Sequence, residues 1–172
     1  MSNTPLKWNM ESGEITEIPN NTCCFTGHRV IPGRDYERIY YSTKENILKL
    51  IEKGVDTFIC GGAMGYDLMC GEIVLFIRKE NPRIRLEVAV PCKNQDVKFS
   101  DIDKERYRII LENADKVTLL SENYYSGCMH ARNRYMVDKS SYIIAYCTKK
   151  SGGTYYTVKY ARKRGVEVIN NK

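Results

Sequence analysis

The stretch Phe58-Ile59-Cys60-Gly61-Gly62-Ala63-Met64-Gly65-Tyr66-Asp67 closes a short apolar run with three glycines and passes at once into a helical pattern. A strand that breaks into a glycine turn and then a helix points backbone N–H groups and the positive end of a helix dipole outward. Phosphate is the usual ligand for that arrangement. The spacing is neither the dinucleotide fingerprint G-x-G-x-x-G nor the P-loop G-x-x-x-x-G-K-[ST]. Glycine also serves plain turn geometry, so the weight of the reading falls on what surrounds the turn.

The pattern repeats on both sides. Upstream, residues 22–26 read as a short buried strand that stops at Gly27-His28-Arg29, with Pro32 and Gly33 continuing the loop. Over 35–53 the apolar positions Tyr36, Ile39, Tyr40, Ile47, Leu50 and Ile51 recur at helical spacing. Ser42 and Glu45 form a capping-box pair inside that span, which would start the helix later, and Gly54 stands where a C-cap glycine belongs. Residues 55–60 are the second strand. A helix over 66–79 follows, ended by Asn81-Pro82. Then come a strand over 84–90, a helix over 101–113, a strand over 116–120 and a helix over 129–139. A strand over 142–146, a second glycine turn at Ser151-Gly152-Gly153-Thr154, a helix to about 164 and a strand over 166–169 complete the chain.

Strands alternating with helices predict parallel pairing through right-handed crossovers, hence an α/β chain with a mainly parallel sheet in a three-layer α/β/α sandwich. Ligands of such sheets bind at the carboxyl ends of the strands. That rim gathers Gly27, His28 and Arg29, the turn from Gly61 through Gly62 and Gly65 to Asp67, the loop before Arg132, and Gly152, Gly153 and Thr154. Residues 1–20 are polar and aperiodic and read as a tail or lead-in; residues 21–172 read as a single domain.

The chain has 172 residues, 42% hydrophobic and 28% charged, as expected for an ordinary globular protein. Its net charge of +6 suits an anionic ligand. No apolar run approaches the roughly 20 residues that span a bilayer, and the N-terminus lacks a signal pattern, so a cytoplasmic location is expected. Seven cysteines, an odd number with no C-x-x-C pair, point to reduced thiols and to no metal site. Cys23, Cys24, Cys60 and Cys70 read as small buried core groups.

Taken together, CCFTGHR at 23–29, GGAMGYD at 61–67, AVPC at 89–92, ADKVTLLSENY at 114–124, CMHARNRYMVD at 128–138 and SGGTYYTVKYA at 151–161 resemble the SLOG superfamily. This is the Rossmann-like fold shared by the DNA-processing protein DprA and the LOG phosphoribohydrolases, and the closer likeness is to its YpsA-like branch of unknown function. The resemblance runs from about residue 22 to the C-terminus. It implies a pocket for a nucleotide or nucleotide derivative, lined by the two glycine turns, with no firmly expected cofactor. SLOG proteins often pair, so a homodimer is compatible with it.

The chain departs from the LOG pattern where it matters for catalysis. LOG hydrolases carry P-G-G-x-G-T-x-x-E, whose Glu does the acid/base work. Here Gly152-Gly153-Thr154 lacks the next glycine, and Thr157 stands in place of the Glu. Hydrolysis of an N-glycosidic bond needs a positioned acid or base, and the nearest carboxylate in a site position is Asp67.

The expected phosphate contacts are therefore Gly61, Gly62, Gly65, Gly152, Gly153 and Thr154. Arg29 follows a strand end, where it can grip phosphate or form a surface ion pair. His28 can meet a ligand or fix the loop. Asp67 can accept from a ribose hydroxyl, act as a catalytic carboxylate or cap the next helix. For Arg132 and Asn133 the resemblance implies a ligand-contacting or pocket-bracing role. Three functions compete: a nucleotide-binding sensor or regulator, a nucleoside 5′-monophosphate glycosidase using Asp67, and a DprA-like single-strand DNA binder. Nucleic acid is the less favoured partner, because no basic stripe with interleaved aromatics is present.

Overall fold

The structure, a computed structural model, describes residues 21–172 together with the backbone of two short strands, β1 (Leu6–Trp8) and β2 (Ile15–Glu17). These two pair antiparallel, Leu6 opposite Glu17 and Trp8 opposite Ile15, so the lead-in expected for 1–20 contains a small ladder. The rest of that expectation lies outside the described residues.

The main sheet has six strands: β3 (Thr22–Gly27), β4 (Thr57–Cys60), β5 (Arg85–Val90), β6 (Lys116–Leu119), β7 (Tyr142–Tyr146) and β8 (Glu167–Asn170). Their order is β6-β5-β4-β3-β7-β8, and all neighbours are parallel. β3 lies between β4 and β7, with Cys24 level with both Ile59 and Ile143. A strand covered on both faces is apolar throughout, and Cys23, Cys24 and Phe25 are fully buried.

Five helices cover the sheet: α1 (Gly33–Glu52), α2 (Tyr66–Glu80), α3 (Asp101–Asn113), α4 (Cys128–Asp138) and α5 (Gly152–Lys163). The two-residue period of a strand sends alternate side chains to opposite faces. Cys23, Phe25, Phe58, Cys60, Leu86 and Val88 pack against α1, α2 and α3, where Ile39, Ile47, Leu68, Met69, Ile73 and Ile110 meet them. Cys24, Ile59, Ala89 and Ile143 face Met136 and Val137 of α4 and Ala161 of α5. All seven cysteines are buried free thiols. No helix among the described residues is long and apolar enough to cross a membrane.

The capping-box reading of Ser42 and Glu45 is corrected. α1 runs unbroken from Gly33, because Ile39, Thr43 and Ile47 bury one continuous face. The Ser42 hydroxyl instead donates to Asn171 Oδ1 at 2.9 Å, and Glu45 pairs with Lys49 one turn on at 2.8 Å. Ser100 does cap α3, accepting from the Asp103 N–H at 3.2 Å.

Behind the glycine turn a buried polar knot fastens α2 to α1 and to the C-terminus. The Tyr66 hydroxyl, with no solvent exposure, bonds Thr43 Oγ1 at 2.9 Å and accepts from Asn171 Nδ2 at 3.1 Å. Tyr66→Phe leaves the ring in place and removes that partner from two buried groups. The expected cost is about 1–2 kcal/mol, read as a fall of about 2–8 °C in the thermal unfolding midpoint.

Candidate functional site

The chain winds outward from β3 to β6, then crosses over to β7 on the other side of β3. At such a reversal the loops leaving the two strands diverge and open a crevice at the carboxyl end of the sheet. A cavity of about 490 Å³ lies there. Of the residues expected from the sequence, Gly27, His28, Arg29, Asp67, Arg132, Asn133, Gly153 and Thr154 line it together. Gly61, Gly62, Gly65 and Gly152 are not among its lining residues.

The first glycine turn is occupied with its own protein. Gly61 and Ala63 donate their N–H groups to Asp67 Oδ2, at 2.8 and 2.9 Å. The Gly61 carbonyl accepts from Arg132 Nη1 at 2.7 Å and from Gln95 Nε2 at 3.0 Å. A Cβ at Gly61 would stand 2.3 Å from Arg132 Nη1. At Gly62, with φ +66°, it would meet the Tyr107 ring at 2.5 Å, and at Gly65, with φ +78°, the Arg29 carbonyl oxygen at 2.1 Å. All three permit close approach, and Gly62 and Gly65 also take a positive φ that side chains disfavour. The approach at Gly65 lets the Tyr66 N–H donate to the His28 carbonyl at 3.1 Å, stitching the β3 loop to the β4 loop.

Arg132 is 5% exposed although it carries a charge. Besides Gly61 it donates from Nη1 to Gln95 Oε1 at 3.1 Å and from Nε to Asn133 Oδ1 at 2.9 Å. Asn133 Nδ2 passes the connection to Thr157 Oγ1 at 3.0 Å, and that hydroxyl donates to the Gly153 carbonyl at 2.9 Å. One relay thus joins the two glycine turns. Thr157, at the position where the LOG pattern carries its Glu, is a buried link in that relay. Gln95 was missed from the sequence, where a lone amide in the polar stretch after Cys92 gives no signal.

Asp67 is also 5% exposed. Its Oδ1 is buried and has no hydrogen-bond partner among the described residues. Burial raises its pKa above the ordinary carboxylate value, while Arg132 and the N–H groups of residues 61–63 pull the other way. Burial likewise lowers Arg132, opposed by Asp67. Desolvation outweighs the attraction for both groups.

The remaining lining is electropositive. α4 starts behind Gly127 and α5 behind Ser151, and neither helix has a side-chain cap. The first N–H groups of a helix lack partners within it; at α4 the Cys128 N–H is taken by the Tyr125 carbonyl at 3.1 Å, and Gly127, Cys128, Gly153 and Thr154 border the cavity. Arg29 is exposed at the same wall and forms no ion pair among the described residues. His28 Nε2 accepts from the Thr148 N–H at 2.9 Å, which places the ring proton on Nδ1. Burial and Lys149 lower its pKa, so the ring is neutral at pH 7 and ties the β7 loop to the β3 loop. No cluster of three or more metal-ligating side chains occurs among the described residues.

Residues 33–168 match the profile of the YspA SLOG family (YpsA). A UPF0398 protein of Halalkalibacterium halodurans is 33% identical over 124 residues, covering 70% of this chain and 66% of that protein. A UPF0398 protein of Bacillus cereus is 28% identical over 132 residues, covering 75% and 72%. Among solved structures, DNA processing protein A of Helicobacter pylori, described for its single-stranded DNA binding mode, superposes with a TM-score of 0.62. It is 18% identical, and the match covers 87% of this chain and 64% of that one. DNA processing protein A of Streptococcus pneumoniae gives 0.62 at 17% identity, over 87% and 49%. This chain thus spans about two thirds of the first relative and half to two thirds of the two structures, and the structural likeness is one of fold.

Two outcomes follow from the buried charges. Arg132→Lys keeps a charge but cannot reach Gly61, Gln95 and Asn133 at once, and is expected to cost about 2–4 kcal/mol in denaturant unfolding at pH 7. The raised Asp67 pKa means that the folded state holds this proton more tightly than the unfolded state. Its contribution is complete below the unfolded carboxylate value of about 3.9 and is lost as pH rises through the folded value. The stability of the wild type relative to Asp67→Asn should therefore fall as pH rises from about 4 and level off once Asp67 is ionised, as read from urea midpoints.

Proposed function

The chain belongs to the YspA SLOG family, and we propose that it binds a nucleotide or nucleotide derivative in the crevice between β3 and β7, acting as a sensor or regulator. The observation that carries this reading is the convergence of two helix N-termini without side-chain caps on one cavity, with Arg29 on its wall. Unpaired N–H groups and aligned dipoles favour phosphate. The reading treats residues 21–172 as one binding domain acting in the cytoplasm, where reduced thiols such as its seven persist.

Binding is favoured over glycosidic hydrolysis on geometry. Thr157 offers a hydroxyl already engaged on both sides. The Asp67 carboxylate holds the turn with Oδ2 and buries Oδ1, a poor station for passing protons to and from water. A single-strand DNA reading has one specific support. Tyr125 and Tyr156 are 49% and 42% exposed, and Arg134 and His130 stand beside them, a combination that suits base stacking.

Thermal unfolding with AMP separates these readings. At about 100 times its Kd, AMP adds roughly 2.7 kcal/mol, a rise of about 5–10 °C. Gly153→Asp has open space for its side chain and places an acidic group in the first turn of α5, which the helix tolerates. It should keep the unliganded midpoint and abolish the rise. A rise that survives in Gly153→Asp would remove this site. A rise with single-stranded oligonucleotides alone, weakening steeply with salt, would favour DNA.

A further inference from the structure

A second cavity of about 430 Å³ adjoins the first, and Arg29, Ala63, Tyr124 and Met129 stand on the walls of both. The two differ in chemistry. The first is framed by helix ends, Asp67 and His28. The second is walled by Met64, Val97, Phe99 and Met129, with Asn94 supplying an amide and Lys98 a cation at its edge. The Gln95 amide there is already engaged by Gly61, Tyr107 and Arg132. Thioether and aromatic surfaces of this kind accept a flat ring on either face. Phe99 is held edge-on to Tyr107, ring centres 5.7 Å apart, so its surface is fixed in advance. Each volume alone lies within the range of about 300–1,000 Å³ that holds one small ligand. The junction is charged: Arg29 stands on the shared wall without an ion-pair partner among the described residues, and Met129 places the first turn of α4 there too.

Resting on the nucleotide reading, we infer that the ligand spans both cavities and is a pyrophosphate-bridged dinucleotide. One nucleoside half occupies the polar cavity, the bridge lies against Arg29 and the start of α4, and the second ring packs on Met64, Val97 and Phe99. A guanidinium and a helix N-terminus at a junction between two ring-sized cavities match the charge order ring, pyrophosphate, ring. A mononucleotide leaves the apolar cavity to water.

The test is titration calorimetry with AMP and with diadenosine pyrophosphate, which carries the same nucleoside at both ends. The dinucleotide should bind at least 30-fold more tightly than AMP. Val97 is 67% exposed, so Val97→Trp, which fills the second cavity, and Val97→Glu, which sets a charge in it, should both fold. Each should remove most of the dinucleotide's advantage and leave AMP binding within twofold. Equal affinity of the two probes for the wild type overturns the inference and leaves the nucleotide reading standing. Equal weakening of both probes by the Val97 variants also overturns it, because the second cavity would then not be a separate subsite. Binding of neither probe overturns inference and reading together.

Discussion

The rim of this molecule depends on one clamp. Gly61 is held from both sides by buried charges: its N–H by the Asp67 carboxylate, its carbonyl by the Arg132 guanidinium. Neither ion would be stable in such a place alone, since desolvating a lone charge costs several kcal/mol. They are tolerated because each offsets part of the other's penalty and because the peptide groups of the turn satisfy one oxygen of the carboxylate and one arm of the guanidinium. The clamp fixes where β4 ends, where α2 begins and how α4 sits against the sheet.

From Arg132 the constraint spreads by hydrogen bonds. Asn133 and Thr157 carry it to Gly153, so the N-terminus of α5 is positioned by the same side chain that holds the first turn. Gln95 ties in the loop after β5. His28, neutral and accepting from Thr148, closes the ring between β3 and β7. A preorganised pocket of this sort loses little conformational entropy when a ligand arrives. The cavity wall can therefore keep the open N–H groups at the start of α5 and an Arg29 guanidinium without an ion-pair partner among the described residues.

The glycines divide into two kinds. Gly61, Gly62 and Gly65 are small because other atoms occupy the space a side chain would need: Arg132, Tyr107 and the Arg29 carbonyl. Gly153 has open space around it and borders the cavity. In sequence the two turns look equivalent, each a pair of glycines between a strand and a helix. Only the second leaves its helix N-terminus free for an anion. In the first, Asp67 has taken the N–H groups that a phosphate would use.

The sequence alone determined the order of strands and helices, because buried parallel strands and amphipathic helices leave different local periods and glycine turns punctuate them. It also determined the rim, because parallel strands joined by helices carry all their carboxyl ends to one side of the sheet. The candidate residues at Gly27 to Arg29, Asp67, Arg132, Asn133, Gly153 and Thr154 were legible for that reason, and the family motifs marked the same positions. Tertiary structure decided the rest. Which N–H groups stay free depends on Asp67 folding back six residues to Gly61. The role of Gln95 depends on a contact 37 residues away at Arg132. Ser42 looked like a cap until its hydroxyl met Asn171 across 129 residues of chain. Local patterns record which backbone shape a segment prefers. They do not record which distant group reaches a donor first, and at this rim that competition separates glycines that pack from glycines that can bind.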